Sequence, residues 1–114
     1  MYRQREIVLV PFPYSDLSTT QKRPVLIVSN NSYNAKYNDV IVCVVPSQTR
    51  KLDEYAFKLT NDDLEYGILL EKSTIKAHKL FTIDKNKILK KFSIVKPALF
   101  KNVSRILNDL FELE

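Results

Sequence analysis

Short apolar runs, separated by polar segments, follow one another along most of the chain. Residues 7–10, 25–28 and 39–45 are rich in Val and Ile, which predicts three buried strands. Apolar and polar residues alternate at positions 54–59, a pattern typical of a half-exposed strand. Residues 79–83 predict a further strand. The dominant pattern of the chain is therefore that of β-structure.

Three shorter segments and one helix complete this pattern. Residues 68–70, which follow the only glycine, Gly67, are apolar and predict a short buried strand. Residues 30–38, rich in Asn, Ser and Tyr, predict a turn or irregular connection, and residues 88–92 fit either a short strand or a helical turn. From Pro97, a favourable first helical position, apolar side chains recur every three or four residues. The apolar positions that predict this amphipathic helix are Leu99, Phe100, Val103, Ile106, Leu107, Leu110 and Phe111.

The order of these elements predicts a small, mainly β protein with a C-terminal helix. Many short strands and one closing helix are typical of a strongly curved, partly closed barrel with an appended helix. A chain of 114 residues is large enough to bury one hydrophobic core but not two. We therefore expect a single domain over residues 1–114.

The composition is that of a soluble globular protein. Hydrophobic residues make up 45% of the chain and charged residues 27%. There is no apolar run of about 20 residues for a membrane span and no signal-peptide pattern at the start, so we expect a cytoplasmic protein with no membrane partner. The one cysteine, Cys43, lies inside an apolar run and is expected to be a small buried hydrophobe rather than a nucleophile.

Positive charge is clustered along the sequence. The formal net charge is +5 and the pI is about 9.3. Basic pairs lie at 22–23 and 50–51 and four lysines lie between 85 and 91, all in or beside predicted loops, whereas acidic residues group at 62–65. This distribution predicts a polarised surface and favours an anionic partner.

Several kinds of enzyme lack their necessary residues in this chain. The single histidine, His78, cannot form a multi-histidine metal site, and no other residues have metal-ligand spacing, so we expect no metal and no other cofactor. With one glycine the chain also has no glycine-rich phosphate loop. Nucleotide-driven enzymes of that kind are therefore excluded.

Arg23 is the strongest candidate for binding an anion. It lies at the mouth of the second predicted strand, and Pro24 biases its backbone toward extended geometry. Its planar guanidinium has the donors to grip a phosphate. If the second and third strands pair antiparallel, Arg23 comes near Ser47 and Thr49. Cleavage of RNA can use the substrate's own 2′-hydroxyl as nucleophile, so a cation and a hydroxyl can suffice.

These residues also carry a resemblance to a known family. Residues 7–13 (Ile-Val-Leu-Val-Pro-Phe-Pro) and 22–29 (Lys-Arg-Pro-Val-Leu-Ile-Val-Ser) resemble the MazF/PemK toxin endoribonucleases of type II toxin-antitoxin systems. Residues 39–45 and 79–84 resemble later strands of that family, and the C-terminal helix falls in the expected place. The resemblance covers nearly the whole chain and implies one SH3-like barrel of the CcdB/MazF type, usually as a homodimer.

The resemblance also implies an activity and a catalytic pair. The expected reaction is metal-independent cleavage of single-stranded RNA such as mRNA, in which 2′-hydroxyl attack leaves 2′,3′-cyclic phosphate and 5′-hydroxyl ends. In the family, an arginine in the position of Arg23 acts with a Thr or Ser at the end of the third strand. Family members often carry Thr-Ser where this chain has Pro46-Ser47. Ser47 is therefore the nearest equivalent and Thr49 the alternative.

Contacts to RNA are expected around this pair. Tyr14 and Tyr33 are candidates for stacking on unpaired bases, whereas Tyr55 is expected in the core. Glu71 and Lys72 lie where family members often place polar groups along the RNA groove. The expected RNA-binding residues are Tyr14, Lys22, Gln48, Arg50, Lys51, Glu71 and Lys72. A cognate acidic antitoxin is the expected protein partner, because anionic side chains can mimic RNA phosphates.

Three alternatives to an active endoribonuclease fit the same sequence. CcdB-like toxins use this fold to bind gyrase and have no nuclease chemistry. A basic SH3-like barrel could bind nucleic acid without cleaving it. A chromosomal copy could also have lost its activity.

Overall fold

The computed structural model of the chain describes residues 1–12, 21–47 and 52–114. Its strands are β1 (Glu6–Phe12), β2 (Gln21–Ile27), β3 (Asp39–Val44), β4 (Ala56–Leu59), β5 (Ser73–Asp84) and β6 (Lys90–Ile94). Its α-helices are α1 (Asn31–Lys36) and α2 (Pro97–Leu110), and short 3₁₀ helices lie at Asn61–Asp63 and Lys85–Lys87.

The described strands form one antiparallel sheet in the order β4-β5-β3-β2-β1-β6. The pairing register shifts between Ile7 and Val8 in β1 and between Cys43 and Val44 in β3. Irregularities of this kind bend a strand and increase its twist, so the sheet is curled. A curled sheet with one long C-terminal helix confirms the predicted class of fold.

Both faces of the central strands are buried, which explains their uninterrupted apolar runs. Ile7 and Leu26 belong to one hydrophobic cluster, on the side where α2 packs. Val8 and Val25, their neighbours in the chain, belong to a second cluster on the opposite side. Because successive side chains of a strand point to opposite faces, a strand covered on both faces needs apolar residues at every position.

Helix α2 closes the first of these clusters. Pro97 occupies the first turn, where its missing N–H has no helical partner to lose. Leu99, Val103 and Ile106, spaced by three or four residues, are buried against the sheet. The predicted amphipathic helix is therefore confirmed, including its start at Pro97.

The prediction of a buried strand at residues 68–70 is wrong. The structure gives this segment no strand pairing, and Ile68 and Leu70 expose 71% and 97% of their surface. The amide of Leu69 donates to the side chain of Asn61 at 2.8 Å instead of to a neighbouring strand. Gly67, with a positive φ of 84°, turns the chain into this segment, a conformation that glycine adopts without steric cost.

Strand β5 is longer than the segment predicted at 79–83. It begins at Ser73 because its first half pairs with β4, from Ser73 opposite Leu59 to Lys76 opposite Ala56. Its second half pairs with β3. Ser73 and Thr74 are buried between neighbouring elements although they are polar. Hydrophobic pattern alone therefore missed this half of the strand.

Two other connections are more regular than the sequence suggested. Residues 31–36 form the short helix α1 rather than a turn, and the side chain of Asn30 caps it by accepting from the amide of Tyr33 at 2.8 Å. Residues 88–92 fitted either a short strand or a helical turn in the sequence. In the structure strand β6 starts within this segment, at Lys90.

Cys43 lies in the interior of the sheet, as predicted. It is fully buried in the first hydrophobic cluster. Burial disfavours the thiolate and raises the pKa of the Cys43 thiol to about 12. Among the helices described, none has the length and apolar character to cross a membrane.

Candidate active site

Antiparallel pairing of β2 with β3 brings Arg23 and Ser47 to one cavity. Val25 lies opposite Val44, and the amide of Val45 donates to the carbonyl of Pro24 at 3.3 Å. Because the strands run in opposite directions, the residues that precede Val25 lie beside those that follow Val44. Arg23 and Ser47 consequently line the same cavity, which has a volume of about 580 Å³.

The cavity combines an apolar wall with a charged rim. The hydrophobic residues that line it are Ile7, Leu9, Pro24, Val44, Val45, Pro46, Leu69, Leu70 and Phe92. The polar residues that line it are Lys22, Arg23, Ser47, Glu71, Ser73, Lys76 and Lys79. Among these described residues, four side chains are cationic and one is a carboxylate. Such a surface suits a ligand that carries both negative charge and flat apolar groups.

Arg23 is available to a ligand at this cavity. Its side chain is exposed, and its backbone lies within β2 opposite Val10. Across residues 1–12, 21–47 and 52–114 no carboxylate is close enough to form an ion pair with its guanidinium. Among the described residues, the donors of this side chain are therefore not engaged by a carboxylate and can meet an anion such as a phosphate.

Ser47 is held at the cavity by contacts on its own backbone and on its neighbour. It forms an isolated antiparallel bridge with Ser73, and the carbonyl of Pro46 accepts from the amide of Thr74 at 2.9 Å. The hydroxyl of Ser47 donates to Oε1 of Glu71 at 2.7 Å. The hydroxyl is thus oriented although Ser47 itself is exposed.

A comparison with protein families identifies the class of this chain. Residues 3–111 match the model of the PemK-like, MazF-like toxins of type II toxin-antitoxin systems. The chain belongs to this family. The family consists of ribonuclease toxins, which agrees with the predicted enzyme class.

Solved structures of MazF toxins share the fold of this toxin over nearly its whole length. An endoribonuclease bound to its cognate antitoxin, from a mycobacterial species, has 20% identity and a TM-score of 0.78, with 100% of this chain and 98% of that chain covered. A MazE-MazF structure from Deinococcus radiodurans has 16% identity and a TM-score of 0.78, with 99% and 98% covered. The Mycobacterium tuberculosis toxin MazF-mt6 has 15% identity and a TM-score of 0.74, with 96% and 99% covered. No curated protein sequence matches the chain.

Two cationic residues of the toxin's cavity were missed by sequence reasoning. Lys76 and Lys79 lie on β5 and line the cavity together with Arg23. Lys76 reaches this position because β5 pairs there with both Val44 of β3 and Ala56 of β4. The first half of β5 has no hydrophobic alternation strong enough to mark it as a strand, so the sequence offered no register for Lys76.

The residues predicted to contact RNA do not all lie at the same cavity of the structure. Lys22 and Glu71 line the main cavity together with Arg23. Lys72 lines a second, smaller cavity of about 380 Å³, which also includes Glu71 and Lys58. Five predicted site residues lie outside the described part of the toxin, namely Tyr14, Gln48, Thr49, Arg50 and Lys51.

Two tyrosines considered in the sequence, Tyr33 and Tyr55, have their contacts away from the main cavity. Tyr33 donates its hydroxyl to Asp39 at 2.5 Å, and this hydrogen bond raises the pKa of Tyr33. Tyr55 packs against the first hydrophobic cluster, as predicted, with its ring centroid 5.5 Å from that of His78. In the part of the chain that the structure describes, no three His, Cys, Asp or Glu side chains form a group able to hold a metal ion.

Proposed function

We propose that this toxin is an endoribonuclease that cleaves single-stranded RNA, including mRNA, by attack of the substrate's 2′-hydroxyl. The observation that carries the proposal is the meeting of Arg23 and Ser47 at one cavity, in a chain of the PemK/MazF toxin family. Two of the structural relatives are named endoribonucleases. Cleavage would leave a 2′,3′-cyclic phosphate and a 5′-hydroxyl.

The cavity supplies the groups that this reaction requires. An exposed guanidinium can form two parallel hydrogen bonds to the non-bridging phosphate oxygens and stabilise the charge that develops on them. Lys22, Lys76 and Lys79 line the same cavity, and their positive charges would attract the phosphate backbone. The nucleophile belongs to the RNA, so the protein has to hold the phosphate in line and move protons. No metal is required by such a mechanism, and we propose that none is used.

The apolar wall favours single-stranded RNA as the substrate. Phe92, Leu69 and Leu70 line the cavity beside the cationic rim. A base that is stacked and paired in a duplex cannot reach such a wall, whereas an unpaired base can turn toward it. An RNA that is cut as a single strand should therefore resist cleavage after annealing to its complement.

The direct test incubates the purified protein with a long single-stranded RNA in excess EDTA. Discrete fragments are expected, and the Arg23→Ala variant, purified in the same way, controls for contaminating nucleases. RNA that is bound but remains intact would instead support a nucleic-acid-binding barrel without catalysis. Inhibition of gyrase with no RNA cleavage would support a CcdB-like toxin.

Ser47→Ala should slow cleavage more than Thr49→Ala. Ser47 is fixed by its bridge to Ser73 and by its hydrogen bond to Glu71, so its hydroxyl is preorganised. Loss of one preorganised polar group that acts in a transition state commonly lowers kcat by roughly a hundredfold or more. Single-turnover rates of both variants, with the exposed helix substitution Ser104→Ala as control, measure the difference. A slower Thr49→Ala would assign the catalytic hydroxyl to Thr49.

Two protein partners belong to the proposal. A cognate antitoxin with an acidic segment should bind across the cationic rim and block it, since carboxylates can occupy phosphate positions, and structural relatives are bound to antitoxins. Unchanged RNA cleavage at saturating antitoxin would contradict this.

We also propose a homodimer that works in the cytoplasm, where mRNA is available. Exposed apolar residues such as Leu113 favour association, and light scattering that gives the mass of one chain would contradict a dimer.

A further inference from the structure

We propose that the second, smaller cavity of the toxin holds one flanking nucleotide of the RNA strand that is cut at the main cavity. The inference rests on the proposed RNA cleavage and extends it to recognition of the substrate beyond the scissile bond. The second cavity, of about 380 Å³, is lined by residues 58–61 on one side and by residues 69 and 71–73 on the other. Its size falls in the range of about 300 to 1,000 Å³ that is usual for small ligands.

The second cavity adjoins the main cavity. Leu69, Glu71 and Ser73 line both, so the two cavities meet along this segment. A strand that has its scissile phosphate against Arg23 and crosses this segment brings its next nucleotide into the second cavity. A flanking part of the same RNA is therefore the ligand that reaches this cavity most directly.

The charges of the second cavity favour a phosphate. Lys58 and Lys72 both line it, and both are exposed. In the described part of the chain, neither lysine forms an ion pair with a carboxylate. Glu71 is the one carboxylate among the described lining residues, and its Oε1 already accepts a hydrogen bond from Ser47 at 2.7 Å. Two cations therefore remain available to a phosphate of the RNA backbone.

Asn61 and Leu69 supply groups that suit a base. The side-chain oxygen of Asn61 accepts from the amide of Leu69 at 2.8 Å, which fixes the orientation of the side chain. Its nitrogen has no hydrogen-bond partner among the described residues, so it can donate to the edge of a base. Leu69 is half-buried and offers apolar surface to the face of the same base. A nucleotide matches this combination of charge, donor and apolar surface better than a free phosphate does.

The walls of the second cavity are held in place before any ligand binds. Ser73 pairs with Leu59 across β4 and β5, and its hydroxyl donates to the carbonyl of Glu71 at 3.1 Å. On the opposite wall, the amide and the hydroxyl of Thr60 donate to Asp63 at 2.8 and 3.0 Å. A site that is already ordered loses little entropy on binding, so the lysines can contribute most of their attraction to affinity.

The first test compares the double variant Lys58→Ala with Lys72→Ala and the wild type on an oligonucleotide with one cut site. KM should rise by about tenfold, roughly the product of two exposed ion pairs. The value of kcat should change little, because these lysines lie away from the scissile phosphate and contribute to binding alone. Lys101→Ala removes an exposed lysine of α2 that lines neither cavity and should match the wild type.

Salt dependence shows whether the lysines meet phosphates. The probe is the same oligonucleotide with deoxyribose at the cut site, which should be bound but not cut. For a single strand, the slope of log Kd against log salt should fall in magnitude by about 0.7 for each lysine removed. Lys101→Ala should leave the slope unchanged.

Shortened substrates locate the nucleotide. The oligonucleotide is shortened one nucleotide at a time, from its 5′ end in one series and from its 3′ end in another. In one series, removal of a single nucleotide should raise KM for the wild type but leave KM of the double lysine variant unchanged, because that variant has already lost the contact. This loss of additivity is the mark of a direct contact.

Asn61→Asp tests the contact with the base. Aspartate can still accept from the amide of Leu69 but has lost the donor and brings a negative charge to the cavity. KM should rise by about two- to tenfold, the worth of one hydrogen bond, with kcat unchanged. Asn102→Asp places the same charge on an exposed position of α2, outside both cavities, and is the matched control.

Three outcomes would overturn the inference. An unchanged KM and salt slope in the double lysine variant would remove the phosphate contact, and a loss of antitoxin binding alone would assign the second cavity to the antitoxin. An equal rise in KM on every shortened strand would mean that the lysines attract RNA at long range without holding a nucleotide. If the wild type cuts RNA, each of these results refutes the second cavity alone, whereas a wild type that leaves RNA uncut contradicts the proposed function and this inference with it.

Discussion

Arg23→Lys should be nearly as inactive as Arg23→Ala, each with kcat for RNA cleavage reduced by a factor of about a hundred to a thousand. Lysine keeps the positive charge but replaces a planar fork of donors with a single point of charge. If the guanidinium forms two parallel hydrogen bonds to the phosphate in the transition state, the positive charge of lysine alone does not restore cleavage. Single-turnover cleavage of one RNA by the wild type and both variants measures the effect.

The Arg23 variants should keep the wild-type fold. Arg23 is exposed and forms no ion pair with the described carboxylates, so its replacement should change the free energy of unfolding by no more than about 0.5 kcal/mol. Urea unfolding checks this. Arg105→Lys, an exposed arginine on α2, is the matched control and should cleave normally. A fully active Arg23→Lys would reduce Arg23 to a contributor of charge.

Replacement of one ribose by deoxyribose should abolish cleavage at that site. The proposed nucleophile is the 2′-hydroxyl adjacent to the scissile phosphate, and deoxyribose lacks it while leaving the phosphate, the base and the charge in place. The cationic rim of Lys22, Arg23, Lys76 and Lys79 should therefore still bind the modified strand. The expected result is a large loss of kcat with little change in affinity, measured on an oligonucleotide with one cut site.

A second oligonucleotide controls for the change in sugar. It carries deoxyribose several nucleotides away from the cut site and should be cleaved at the normal rate. Continued cleavage at a deoxyribose site would mean that water or a protein group attacks the phosphate, and the 2′-hydroxyl mechanism would then be wrong.

The meeting of Arg23 with Ser47 could be predicted because it depends on local signals. Two Val- and Ile-rich runs marked β2 and β3, and the short connection between them favoured antiparallel pairing. The structure adds helix α1 to that connection, but the strands pair antiparallel as expected, with Val25 opposite Val44. Antiparallel pairing brings the start of β2, with Arg23, beside the end of β3, which Ser47 follows.

The contributions of β5 could not be predicted in the same way. Ser73 and Thr74 are buried between β4 on one side and the segment that follows β3 on the other, which a local hydrophobic pattern does not reveal. Lys76 and Lys79 were therefore not assigned to the site. Tertiary pairing, rather than any preference of these residues, brings them to the cavity.

Residues 68–70 illustrate the opposite error. Their apolar side chains suggested a buried strand, yet Leu70 is almost fully exposed. Leu69 and Leu70 instead line the cavity beside Glu71. Apolar residues in a surface segment are typical of a binding surface as well as of a core, and sequence pattern does not distinguish the two. The contact between Ser47 and Glu71 depends on the position of this segment.

The central claim is that this toxin cuts RNA by 2′-hydroxyl attack without a metal. The most direct measurement identifies the ends of the fragments produced from a long single-stranded RNA in excess EDTA. Undiminished cleavage with a 2′,3′-cyclic phosphate on one fragment and a 5′-hydroxyl on the next is the predicted result. Cleavage that stops in EDTA, or fragments that carry 3′-hydroxyl and 5′-phosphate ends, would contradict it.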